Sequence, residues 1–145
     1  MPGTYVLLIE CPDAVELTAG ALGTHRFPSG WYAYVGSALG PGGFSRVDRH
    51  RRSAAGETDA FWHVDYLLGH PEVSLDAVVA AEVDAECAVS ATLPEGPIPG
   101  FGSSDCSCRS HLAHAASRAD LRRVAGDALS AALREENEGT DGADE

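Results

Sequence analysis

At 145 residues, 44% of them hydrophobic, the chain is sized for one domain around one core. Its longest apolar runs, such as Tyr5 to Ile9 and Ala77 to Ala81, are far too short to cross a bilayer. Set against 22 acidic residues there are only 10 basic ones, all Arg, and the formal net charge of -12 speaks to solubility and self-repulsion, not to fold.

Met1-Pro2-Gly3-Thr4 leads straight into a strand-like run with no charged leader region or cleavage site, so no signal peptide is read and a cytoplasmic protein is expected. Thr4 to Ile9 is a buried strand by its β-branched and aromatic content. Val15 to Ala19 alternates apolar and polar, and Pro12-Asp13 suits a hairpin turn between these two strands. A short strand from Gly23 to Phe27 ends at Pro28-Ser29-Gly30, and Trp31 to Val35 is a further strand that stops at Gly36. After the turn Gly40-Pro41-Gly42-Gly43, helical periodicity runs from Phe44 to about Ser53, and again from Phe61 to Leu68. Ser74 to Glu82 reads as a strand, and Asp84 to Leu93 as a helix with Asp84 at its N-cap. Pro97 to Arg109 is a loop, and Ser117-Arg118-Ala119-Asp120 opens an amphipathic helix to about Arg134.

The class expected is α/β in the α+β sense: an antiparallel sheet flanked by helices. Residues 1–116 form the domain, 117–135 a C-terminal amphipathic helix packed on it, and 136–145 a disordered acidic tail. The tail does not account for the acidity by itself. Asp127 to Glu145 holds seven acidic residues and Arg134, a net of -6, and the other -6 is spread over the body. Adaptation to a salt-rich cytosol and pairing with a basic partner both fit, and the first is preferred. On that reading the melting temperature rises from dilute to molar potassium chloride; a flat or falling curve would count against it.

Four groups of residues carry chemistry. Tyr5 and Tyr34 sit on two strands, and paired strands can bring two phenols into one site that holds a water or passes a proton; ordinary aromatic packing is the plain alternative. Arg46, Arg49, His50, Arg51 and Arg52 gather four of the ten Arg residues. Arg46 and His50 are one helical turn apart, so a guanidinium can grip a phosphate beside a His that can move a proton. Glu86 stands near the start of a helix, where a carboxylate can hold a hard divalent ion or simply favour the helix dipole. Cys106-x-Cys108-x2-His111, with His114 beyond it, offers soft ligands within one short loop. That spacing is cramped for zinc, and a tight loop of small residues is the alternative. Cys11, Cys87, Cys106 and Cys108 are read as thiols or metal ligands, and Cys106 and Cys108 are too close for an ordinary disulfide staple.

Gly3-Thr4-Tyr5, Trp31 to Gly36 followed by Ser37-Ala38-Leu39-Gly40, Arg46 to His50, Trp62 to Leu68, Glu86-Cys87, and Gly100 to Leu112 occur in that order. From Gly3 to about Ala115 the chain resembles the mainly archaeal branch of the GIY-YIG nuclease superfamily, a branch long catalogued as a domain of unknown function. The run Gly100-Phe101-Gly102-Ser103-Ser104-Asp105-Cys106-x-Cys108-x-Ser110-His111-Leu112 is the specific mark of that branch. The resemblance implies metal-dependent phosphodiester hydrolysis. By motif match Tyr5 activates or positions the attacking water, Tyr34 and Gly36 belong to the second motif, and Arg46 stabilises the phosphate. His50 follows one turn later, and Glu86 binds the metal, one Mg2+ or Mn2+ ion. Arg49 flanks the same face, and Ser103, Ser104 and Asp105 line the substrate side; Ser104 or Asp105 stands where the superfamily has a late asparagine, since the only Asn here is Asn137. Thr4 and Val35 replace the usual isoleucines, and the long stretch from Tyr5 to Tyr34 requires an inserted hairpin.

The function expected is a metal-dependent endonuclease acting on DNA, with repair as one setting for it, nucleic acid as partner and no membrane. The alternatives are a non-catalytic nucleic-acid-binding module, or a metal- or redox-linked accessory protein using Cys106, Cys108 and His111.

Overall fold

The strand β1, Thr4–Cys11, is buried along almost its whole length, so it needs neighbours on both edges and cover on both faces. The computed structural model supplies both; it describes residues 3–18, 23–37, 47, 50–52, 63–83, 85–93 and 112–144. β1 lies inside a four-stranded sheet of order β5-β1-β4-β6, with β4 spanning Gly30–Ser37, β5 Ser74–Ala81 and β6 Leu112–Ala115. Every pairing is antiparallel. Thr4 faces Ser37 and Tyr5 faces Gly36 on β4, while Thr4 faces Ala81 on β5. The start of β1 and the ends of β4 and β5 therefore meet at one end of the sheet.

Side chains alternate between the two faces. On one face Tyr5, Leu7, Ile9, Tyr32 and Tyr34 join a core with Val47 and with Val64, Leu67 and Leu68 of helix α1, His63–Leu68. On the other, Val6, Leu8, Ala33 and Val35 join Val89 of helix α2, Glu86–Thr92, and Leu121, Ala125 and Leu129 of helix α3, Arg118–Asp144. The four-residue spacing of those α3 residues is a single apolar stripe. Ser117 caps α3, its Oγ accepting from the Asp120 N–H at 3.3 Å. Arg118 ties the helix start to β5 through Asp76 at 2.7 Å. No helix among the described residues is long and apolar enough to cross a membrane.

The class read from the sequence is the class observed, and four details differ from that reading. β1 does not pair with the strand after Pro12-Asp13, because β4 and β5 already occupy both its edges. That strand, β2 (Val15–Thr18), pairs instead with β3 (Thr24–Phe27) as a separate two-stranded sheet between Tyr5 and Tyr34 in the chain. β6 went unread: Leu-Ala-His-Ala is short and weak in strand-forming residues, and only its place beside β4 makes it a strand. α2 begins at Glu86 with Ala85 at its N-cap and no side-chain cap hydrogen bond from it, two residues later than expected; Asp84, the expected N-cap, lies outside the described residues. α3 continues through the residues expected to form a disordered tail, as far as Asp144; Glu135 and Glu136 are good helix formers on a helix already nucleated by packing.

Candidate functional site

Tyr5 and Gly36 are direct partners across β1 and β4, and Tyr34 lies two residues back on β4, opposite Leu7. Tyr5 and Tyr34 thus point to the same face of the sheet. His50 comes to that face from a helical segment whose Val47, three residues earlier, is also buried. The Tyr5 hydroxyl and His50 Nε2 are 2.7 Å apart, a buried hydrogen bond between residues 45 positions apart. The His50 ring is edge-on to Tyr34 at 6.0 Å between centroids and tilted against Tyr5 at 5.5 Å. Two phenols and one imidazole therefore share one site.

Gly36 makes the arrangement possible. A Cβ there would lie 2.3 Å from Tyr5 Cζ and 2.4 Å from its hydroxyl oxygen, well inside contact distance. The phenol end of Tyr5 crosses the strand where only a hydrogen atom leaves room. A third tyrosine on this face, Tyr32, has a different task. Its hydroxyl donates to the Pro28 carbonyl at 2.5 Å, and burial, followed by the nearby Cys11, pushes its phenol well above the usual range. Tyr32 is a latch on the turn before β4 and keeps its proton.

Thr4, which the sequence marks only as a replacement for isoleucine, is a polar residue inside the core. It is completely buried, and its hydroxyl donates to the Val83 carbonyl at 2.6 Å and accepts from the Ala85 N–H at 3.0 Å. The available signal was chemical: a hydroxyl within an otherwise apolar buried strand must find a partner. Ala85 immediately precedes Glu86, so the carboxylate residue begins its helix beside the start of β1.

Arg51 and Arg52, which follow buried His50 in the chain, are exposed. Arg51 borders a groove of about 500 Å³ along β5, lined also by Val73, Leu75 and Asp76; Tyr5, Tyr34 and His50 do not line it. Arg46, Arg49, Ser103, Ser104, Asp105, Cys106, Cys108 and His111 lie outside the described residues, as does the Glu86 side chain. Among the described residues no group of three or more His, Cys, Asp or Glu could hold a metal ion. Cys11 is a buried thiol that donates to the Asp13 carbonyl at 3.1 Å. Burial, then the carboxylates of Asp13 and Glu72, raise its pKa, which disfavours the thiolate a metal would need.

A single carboxylate at Glu86 suits a hard divalent ion that keeps most of its water, and it does not suit a soft metal. Residues 4–134 match the model of a family described as Domain of unknown function DUF123. Searches of curated proteins and of solved structures return no match.

Proposed function

The chain belongs to the DUF123 family, and on that premise we propose that it is a metal-dependent endonuclease of the GIY-YIG type, hydrolysing phosphodiester bonds in DNA. The observation that carries the reading is the buried Tyr5–His50 hydrogen bond beside Tyr34, on a strand end where Gly36 clears space for the phenol. With Nε2 unprotonated, His50 accepts the Tyr5 proton and leaves the phenol oxygen able to orient or deprotonate a water. Arg46 offsets charge on the phosphate, Arg49 supports it, and Ser103, Ser104 and Asp105 line the substrate. Glu86 is the residue that would hold Mg2+ or Mn2+, which when bound stabilises charge on the phosphate and leaving oxygens. The reading places the protein in the cytoplasm, in high salt.

One observation favours a second reading, a nucleic-acid-binding module without chemistry: Tyr5 and His50 are only 2% and 1% exposed, as packing residues are. A screen of branched, nicked and damaged DNA in high salt separates the two. With magnesium or manganese the parent is expected to cleave, and Glu86→Ala to lose cleavage while keeping DNA affinity. A parent that binds but never cuts favours the module, and a Glu86→Ala variant that cuts like the parent removes Glu86 as the ligand.

A further inference from the structure

Two neighbouring residues of β1 face opposite sides of the sheet. Tyr5 faces His50, and Thr4 faces the layer of α2 and α3. The Thr4 hydroxyl spans the turn between β5 and α2, using its one proton on the Val83 carbonyl and a lone pair on the Ala85 N–H. Those partners stand 79 and 81 residues away in the chain. Helix α2 has seven residues and no side-chain cap of its own. A helix that short does not hold itself, so its first turn depends on outside ties.

We propose that Thr4 is the positioning residue of the site: its hydroxyl fixes the backbone of Glu86 relative to Tyr5. The linkage is short on both sides. Thr4 is bonded through one peptide to Tyr5, and Ala85 through one peptide to Glu86, with a single hydrogen bond of 3.0 Å between the two pairs. A valine at position 4 fills the same space and makes neither bond. The proposal rests on the nuclease reading for the roles of Tyr5 and Glu86, and the tie itself does not.

The test uses the full chain with Thr4→Val, Thr4→Ala and Thr4→Ser. Backbone amide exchange reads the tie. Both hydroxyl-free variants are expected to exchange about tenfold faster at Ala85 and Glu86 with protection at Leu7 unchanged, and Thr4→Ser to match the parent. Having two hydroxyl-free variants covers the case in which one does not fold. Cleavage of a DNA that the parent cuts reads the consequence. The magnesium concentration for half-maximal cleavage is expected to rise about tenfold in Thr4→Val, with DNA affinity unchanged and Thr4→Ser restoring the parent value. Unchanged exchange at Ala85 and Glu86 overturns the proposal. Faster exchange with an unchanged magnesium requirement also overturns it, leaving Thr4 a purely structural residue. A parent that cuts no DNA ends the nuclease reading instead, and the exchange arm still upholds or overturns the tie.

Discussion

Gly36→Ala is expected to destabilise the protein by about 2–6 kcal/mol and to separate Tyr5 from His50. The added methyl would sit 2.3 Å from Tyr5 Cζ, so either the ring or the strand must move. The ring is 2% exposed, closed in by the core and bonded to His50, and β4 is held by β1 and β6 on its two edges. Overpacking of this kind typically costs about 1–3 kcal/mol, and leaving a buried hydrogen-bonding group unsatisfied costs about as much again. At this chain length the sum corresponds to a fall in melting temperature on the order of 10 °C. The cause can be isolated by a double-mutant cycle. In a Tyr5→Ala background the ring is gone, and Gly36→Ala should then cost little. An equal cost in both backgrounds would mean that Gly36 is needed for some reason other than the close approach of the phenol.

Strands β1, β4 and β5 were legible because their apolar content is high over four or more residues and their ends carry turn residues. Pairing was less so. The chain does bend at Pro12-Asp13, but a bend says only that its direction changes, and the partner of β1 was decided by β4 and β5 competing for its edges. β6 could not be read at all, since Leu112-Ala113-His114-Ala115 has no strand preference of its own and is recruited by the open edge of β4. Similarly, the α2 boundary depended on a hydroxyl 81 residues away, which no local capping rule includes.

Of the candidate site, the order of the motifs named Tyr5, Tyr34, Gly36 and His50, and the structure brings these four together. The reason for the glycine was not legible, because it depends on the cross-strand register that sets Gly36 opposite Tyr5. Nor was the difference between Tyr34 and Tyr32, two residues apart on one face. It arises from the Pro28 carbonyl, which engages the Tyr32 hydroxyl. Thr4 was visible only as a departure from isoleucine, and its meaning lies in the two backbone groups it meets.

The most direct measurement is the single-turnover cleavage rate of Tyr5→Phe, with DNA affinity measured in parallel, in high salt and saturating magnesium. Phenylalanine keeps the ring over Gly36 and its packing against the core, so the variant should fold, at a cost of about 1–3 kcal/mol for the lost bond to His50. Only the oxygen that would handle the attacking water is removed. If Tyr5 and His50 move that proton, the rate should fall about 10²- to 10⁴-fold while DNA affinity stays within about threefold of the parent. A Tyr5→Phe variant that cleaves within about threefold of the parent would contradict the account and leave the pair as core packing.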